Sequence, residues 1–277
     1  MIIETKGQNL LLQSFQINNQ LECTMKCSNN FLCSIAIIDI SICKIYSKTF
    51  NKSNSIYSLT ANLYIKRGYN SINDYLIHYW PFNGNYMNEI TKVYLFNGQN
   101  DKLVTDRFGR PSSSLYLNEG YLQAPNGTYI NGDFTLTTWV KMKTLVEYRR
   151  FFVLKSTNGY TAYFSLTRVF GSGPYLYYPT TEFNANAPLV IEKWQHLAFT
   201  IKGSILAIYI DGICVYNGTG NAINTPISTD VYFGSYYEPT LRPNAEFDDF
   251  KLFSKSLTRE EIIQSSLDFF QNMIKNI

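Results

Sequence analysis

The feature that most constrains this chain is the character of the sequence from residue 74 onward. Short runs of alternating apolar and polar residues follow one another, broken by clusters of Gly, Asn and Pro, and helical periodicity is absent before residue 258. Examples are Ile77-His-Tyr-Trp-Pro-Phe, Phe134-Thr-Leu-Thr-Thr-Trp-Val, His196-Leu-Ala-Phe-Thr-Ile and Asp249-Phe-Lys-Leu-Phe. A period of two puts alternate side chains on opposite faces of a strand, so each run can bury one face and wet the other. Many such strands at close spacing predict an antiparallel β-sandwich. The 22 Tyr and 19 Phe reinforce that expectation, because aromatic side chains fit a pleated, half-buried surface.

Other classes are excluded by balance. Hydrophobic residues make up 45% of the chain and charged residues 16%, the reverse of what a disordered chain carries. The net charge of +3, with both signs scattered, lacks the concentrated basic footprint of a nucleic-acid binder, so no nucleic-acid partner is expected. No apolar run approaches the roughly 20 residues of a membrane helix, so no transmembrane segment is expected either.

Four of five cysteines, Cys23, Cys27, Cys33 and Cys43, crowd into one short stretch before this region. Zinc sites want two close pairs, and the second half of this set is too spread for that. A disulfide framework in a small module is the better fit, and each bridge would contribute about 3 kcal/mol in the chain-entropy model. Four cysteines allow three pairings. Cys23 and Cys27 share one face of a short helix capped by Asn18 or Asn19. Gln-Ser-Phe before that helix, Glu22-Cys23-x₃-Cys27, Asn-Asn-Phe-Leu-Cys33 and Ser-Ile-Cys43-Lys-Ile-Tyr together resemble a PAN/apple module over residues 8 to 66. The resemblance implies bridges Cys23–Cys43 and Cys27–Cys33, without the outer terminal bridge of many such modules. The expected organisation is a PAN/apple-like module at 1–68, a polar linker at 69–74, a sandwich at 75–265 and an amphipathic helix at 258–277 packed on it.

Within the sandwich region five words occur in order: Tyr79-Trp-Pro-Phe-Asn-Gly-Asn, Gly132-Asp-Phe-Thr-Leu-Thr-Thr-Trp-Val-Lys, Trp194-Gln-His-Leu-Ala-Phe-Thr, Ile208-Tyr-Ile-Asp-Gly and Phe247-Asp-Asp-Phe-Lys-Leu-Phe-Ser-Lys-Ser-Leu-Thr-Arg-Glu-Glu-Ile. Together they resemble the laminin G-like, concanavalin A-like jelly roll. The resemblance implies two packed antiparallel sheets of about a dozen or more strands. Asp211-Gly212 between two alternating runs predicts a tight hairpin. Trp139 and Trp194 are expected to face the core, with His196 on the same face as Trp194 in a structural role. Cys214 is expected to be a small buried hydrophobe. Thr258-x-x-Glu261 has the pattern of a capping box, and Ile262, Ile263, Leu267, Phe270, Met273 and Ile274 recur at helical spacing after it.

Retaining glycoside hydrolysis needs two carboxyl groups about 5 Å apart. The nearest string is Glu246-Phe-Asp248-Asp249-Phe250, where alternation puts only Glu246 and Asp248 on one face, so no enzyme is expected. Calcium takes oxygen ligands from separate loops, and by the jelly-roll resemblance a rim site would fall on Asn88, Asp248 and Asp249. Sugar contact would come from Tyr175, Tyr177, Tyr178, Tyr236 and Tyr237 in Gly/Pro-bounded, loop-like segments, since tyrosine offers area and a hydroxyl at little entropic cost. Asn51, Asn126 and Asn217 lie in glycosylation acceptor patterns. No signal peptide is visible, which favours a fragment of an extracellular, secreted protein over a reduced cytosolic one. The function expected is extracellular recognition or adhesion, through a glycan or glycoprotein ligand and with optional calcium. A matrix spacer without its own ligand is the alternative, and a glycosidase comes third.

Overall fold

The computed structural model describes Ile72 and residues 74–266, apart from 157–160, 170–171, 179–180 and 221–226, together with the backbone of three N-terminal strands. The chain divides into two units, Met1–Tyr69 and Asn70–Ile277, at the polar segment expected to be a linker. In the first unit β1 (Leu11–Gln16), β2 (Cys33–Asp39) and β3 (Ile42–Ser47) form an antiparallel sheet in the order β1-β3-β2. Cys33 opens β2 and Cys43 lies in β3. Cys23, Cys27, their expected helix and Asn51 lie outside the described residues, and so do the two expected bridges.

Among the described residues the second unit holds fourteen antiparallel strands, β4 (Leu76–Trp80) to β17 (Asn244–Phe253), followed by helix α1 (Arg259–Ser266). The main pairing path is β12-β11-β10-β9-β16-β6-β17-β8-β13-β14-β15, with β4 on β17, β5 (Phe96–Val104) on β6 and β7 (Thr128–Ile130) on β16. Phe164 of β10 (Thr161–Ser165) and Phe199 of β13 (Trp194–Lys202) are six pairing steps apart on that path. At about 4.8 Å per step a flat sheet would hold them roughly 29 Å apart. Their ring centroids are 5.2 Å apart, so the sheet folds back on itself as a sandwich. Phe151, Phe152, Phe247 and Phe250 fill the space between the layers, and each is almost completely buried. The two ends of the path also approach, with Phe183 of β12 (Thr181–Asn184) 6.3 Å from Tyr216 of β15 (Ile213–Thr219).

β17 carries the sandwich from one layer to the other. It pairs with β8 (Phe134–Met142) on one side, while its other neighbour changes from β6 (Ser114–Ala124) at residues 244–247 to β4 at 250–253. The change falls on Asp248 and Asp249, where the register slips and Asp249 adopts φ 48°. Aspartate tolerates this left-handed conformation better than most residues. The extra residue is a β-bulge, and it places two successive side chains on one face.

Local signals in the sequence are realised. Asp211 (φ 51°) and Gly212 (φ 73°) both take positive φ in the two-residue turn joining β14 (Ile205–Ile210) to β15, the geometry of a type I′ hairpin. Thr258 and Glu261 exchange reciprocal bonds: the Glu261 N–H donates to Thr258 Oγ1 (3.3 Å) and the Thr258 N–H to Glu261 Oε2 (2.8 Å). Of the expected 258–277 helix, residues 259–266 are described, and Ile262 and Ile263 are buried on the body.

Three expectations are corrected. Trp139 and Trp194 are not in the inter-layer core, which holds Trp80 instead. They sit at outward positions, Trp139 buried under the Arg107 guanidinium and Trp194 half-buried beneath Lys141. Cys214 is exposed, because β15 ends the pairing path and has a neighbouring strand on one side only.

Candidate functional site: a tyrosine face

Strand alternation builds the site. Residues Ala162, Phe164, Phe152, Leu154, Val231 and Phe233 point into the core, so Tyr163, Val153 and Tyr232, set between them, point outward from the layer β12-β11-β10-β9-β16-β6, while Phe151, at the register shift of β9 against β10, also faces the core. The pairing registers align those outward residues in one row across the strands. It runs Glu182, Tyr177, Tyr163, Val153, Tyr232 and Gln123, from β12 through β11 (Tyr175–Tyr178), β10, β9 (Arg150–Ser156) and β16 (Ile227–Gly234) to β6.

Two groups of tyrosines stand on this row. In the first, the Tyr163 and Tyr177 rings stack at 4.6 Å and 7°. The Arg150 guanidinium lies 3.9 Å from the centroid of Tyr163. Since β10 lies between β11 and β9, these two neighbours cover both faces of Tyr163, and the open face of the stack belongs to Tyr177. Arg150 pairs with Glu238 and Arg168 with Glu182. In the second group, Tyr236 stacks on Tyr232 at 5.0 Å and meets Tyr121 edge-on at 5.1 Å. Tyr237 donates its hydroxyl to Asp230 Oδ2 (2.6 Å), with the Lys155 ammonium 4.3 Å from its ring centroid. The Arg242 guanidinium is 4.7 Å from the Tyr121 centroid and donates from Nε to the Ser235 carbonyl (2.8 Å). The connection from β16 to β17 is thereby tied down over the sheet, and Arg149 reinforces it by donating to the Thr240 and Arg242 carbonyls (2.8 Å each).

Burial raises the Tyr163 hydroxyl to about 12, and its bond to Asp230 raises that of Tyr237. Both hydroxyls therefore keep their protons at neutral pH. The face offers rigid aromatic surface, hydroxyl groups and guanidinium–carboxylate pairs, the combination that meets a polyhydroxylated ligand.

The five tyrosines expected from sequence divide. Tyr177, Tyr236 and Tyr237 lie on this face, the last two 45% and 47% exposed. Tyr175 shares the face but is buried, its ring packed edge-on against those of Tyr148 and Tyr163. Tyr178 points into the core. Residues 175–178 are a strand, not a loop tip, so alternation sends Tyr178 inward. Tyr163 and Tyr232 went unrecognised, although each occupies the polar position of an alternating run, in Ala162-Tyr-Phe and Val231-Tyr-Phe.

A second polar cluster lies on the outer face of the other layer. Arg107 is buried between the carboxylates of Asp248 and Asp249 and pairs with both. Its guanidinium lies 4.3 Å from the Phe108 centroid and 4.9 Å from that of Trp139. Asp249 Oδ1 also accepts from the Tyr79 hydroxyl (2.6 Å). Burial raises the Asp248 carboxyl against the opposing pull of Arg107. Burial pushes Asp249 up too, but Arg107, Lys251 and Tyr79 outweigh it and hold its carboxyl below the usual range. The expected calcium ligands are otherwise engaged. Asn88 Oδ1 accepts from the Ile90 and Thr91 N–H groups (2.9 and 3.1 Å) and its amide bonds His78 Nδ1 (2.9 Å). Among the described residues no three His, Cys, Asp or Glu side chains gather as a metal-binding group. Asn126 and Asn217 are exposed, in the β6–β7 turn and on β15.

A family model described as the concanavalin A-like lectin/glucanases superfamily matches residues 117–263, more than half of the chain. Among solved structures, domain 4 of an extracellular arabinanase from Geobacillus stearothermophilus, in complex with arabinotriose, is similar with a TM-score of 0.55 and 16% identity, over 69% of this chain and 98% of that one. The binding domain of Paraclostridial Mosquitocidal Protein 1 is similar with a TM-score of 0.53 and 14% identity, over 70% and 52%. Trypanosoma rangeli sialidase, in complex with 2,3-difluorosialic acid, is similar with a TM-score of 0.55 and 16% identity, over 92% of this chain but 39% of that one. At such identities the likeness is one of fold. Curated proteins yielded no match.

Proposed function

The chain belongs to the concanavalin A-like lectin/glucanases superfamily, and from that premise we propose that its sandwich is a non-enzymatic carbohydrate-recognition module acting outside the cell. The observation that carries this reading is the outward row on which the Tyr163–Tyr177 and Tyr232–Tyr236 stacks stand, each beside ion-paired or hydrogen-bonded polar groups. Stacked rings supply contact area with little side-chain entropy to lose, and paired guanidinium and carboxylate groups match the spacing of vicinal hydroxyls. Domain 4 of the arabinanase, whose structure holds arabinotriose, makes a sugar a reasonable first ligand class to test here.

A non-enzymatic role is favoured by the state of the buried acids. Glu246 is neutralised by Lys141 and Lys143, and Asp248 and Asp249 share Arg107. A hydrolase needs one carboxyl free to give a proton and another free to attack or to activate water. Calcium has no part in this proposal, because the guanidinium of Arg107 already supplies the positive charge between the two aspartates. We further propose that residues 1–68 form a PAN/apple-like, disulfide-stapled module.

Binding of the secreted, oxidised chain to a printed glycan array tests the proposal, with Tyr177→Ala and Tyr236→Ala beside it. Saccharide binding by the native chain, weakened in both variants at unchanged melting temperature, supports it. An array without signal favours the spacer alternative.

A further inference from the structure

The two tyrosine groups are separated by one strand. Val153 of β9 lies between them in the row, 4% exposed, and β9 presents no ring there. Tyr163 and Tyr232 are therefore two strand spacings apart, about 10 Å, and the distance from Tyr177 to Tyr232 is three spacings, about 14 Å. The open ring surfaces lie at the two ends: Tyr177 beyond Tyr163 on one side, the half-exposed Tyr236 and Tyr237 on the other. Each end has its own polar groups, the Arg168–Glu182 pair near the first and, near the second, Asp230 bonded by the Tyr237 hydroxyl and Lys155 over the Tyr237 ring. Between them the Arg150–Glu238 pair links β9 to the β16–β17 connection.

One sugar ring cannot reach both ends of such a surface. We infer that the face is built for a linear oligosaccharide lying across the strands, with one ring on Tyr177, one on Tyr236 and Tyr237, and intervening units over the Arg150–Glu238 pair. This rests on the carbohydrate reading above and adds to it a ligand length and direction. Two half-sites joined by one ligand act as a bivalent system, so the second contact is made at high effective concentration once the first has formed. Glu182 and Glu238 are both well exposed, and opening such surface ion pairs to admit hydroxyl groups costs little.

The test uses the full chain and an array or titration series containing mono-, di-, tri- and tetrasaccharides of arabinan, xylan, glucan and galactan type. In whichever series binds, affinity is expected to rise at least about tenfold between the disaccharide and the tetrasaccharide. Tyr177→Ala and the double variant Tyr236→Ala, Tyr237→Ala should each flatten that rise while leaving the disaccharide nearly unaffected. Tyr75→Ala, on the helix-covered side, should leave the series unchanged. Equal affinity for mono- and tetrasaccharides would overturn the inference and leave the carbohydrate reading standing. Absence of binding to every series, with native melting behaviour, would overturn both.

Discussion

Replacing Arg107 by Met tests how the layer-switching strand is held. Methionine keeps an apolar stem against Trp139 and Phe108 but removes the charge between Asp248 and Asp249, which are 1% and 12% exposed. Breaking a buried ion pair by deleting one partner costs about 3–5 kcal/mol. Here two carboxylates are stranded side by side, and the cheapest relief is to protonate one of them. Keeping a proton on a carboxyl of ordinary pKa about 3.9 costs roughly 5–6 kcal/mol at pH 8 and roughly 1.5 kcal/mol at pH 5. The substitution should therefore cost about 4–5 kcal/mol at pH 8, and about 3 kcal/mol less at pH 5. Domains of this kind have only about 5–15 kcal/mol in total, so the effect at pH 8 approaches unfolding. Urea titrations of Arg107→Met at both pH values measure it. Adding Asp248→Asn should restore much of the pH 8 loss, because an amide can stay neutral there. A cost below about 1 kcal/mol, or one equal at both pH values, would refute the argument that charge neutralisation stabilises the bulge.

Other outcomes follow from the same physics. Burial, aided by Lys251 and Arg107, lowers His196 to about 3, and burial lowers His78 to about 4 against a hydrogen bond that its ring donates to the Thr128 backbone. Below the unfolded value near 6.5 the folded state binds fewer protons than the unfolded chain, so this stability is complete above pH 6.5 and is lost as pH falls toward those values. Each histidine should remove about 2 kcal/mol between pH 6.5 and 5, and His196→Asn should flatten the slope of melting temperature against pH. Gly212→Ala should cost about 1–2 kcal/mol by urea titration, since φ is +73° and the new Cβ would lie 2.7 Å from Ile263 Cγ1 on helix α1. The native chain should melt at the same temperature with millimolar calcium as with chelator, whereas a calcium-dependent rise would show a native-state site and contradict the role given to Arg107.

The architecture was legible because it is carried by local rules. Alternation marks strands, Asp211-Gly212 demands positive φ at both positions, and Thr258 with Glu261 closes a capping box within one turn. Each signal involves residues only a few positions apart. The candidate site was half legible for the same reason. Tyr236 and Tyr237 stand out beside a turn, but Tyr178 differs from Tyr177 only in strand parity, and its burial depends on where β11 begins. Alternation also separated Asp248 from Asp249, and the bulge at the layer switch reunited them.

What the sequence alone determines is thus the antiparallel sandwich, its hairpins and the cap of its last helix, each specified by neighbours along the chain. Only the tertiary structure decides that Arg107 lies between Asp248 and Asp249, 141 and 142 residues away. It alone aligns Tyr177, Tyr163 and Tyr232 in one row. These arrangements depend on inter-strand register and on the folding back of the sheet. Both are set by long-range packing of the phenylalanine core, for which no short stretch of residues carries a signal.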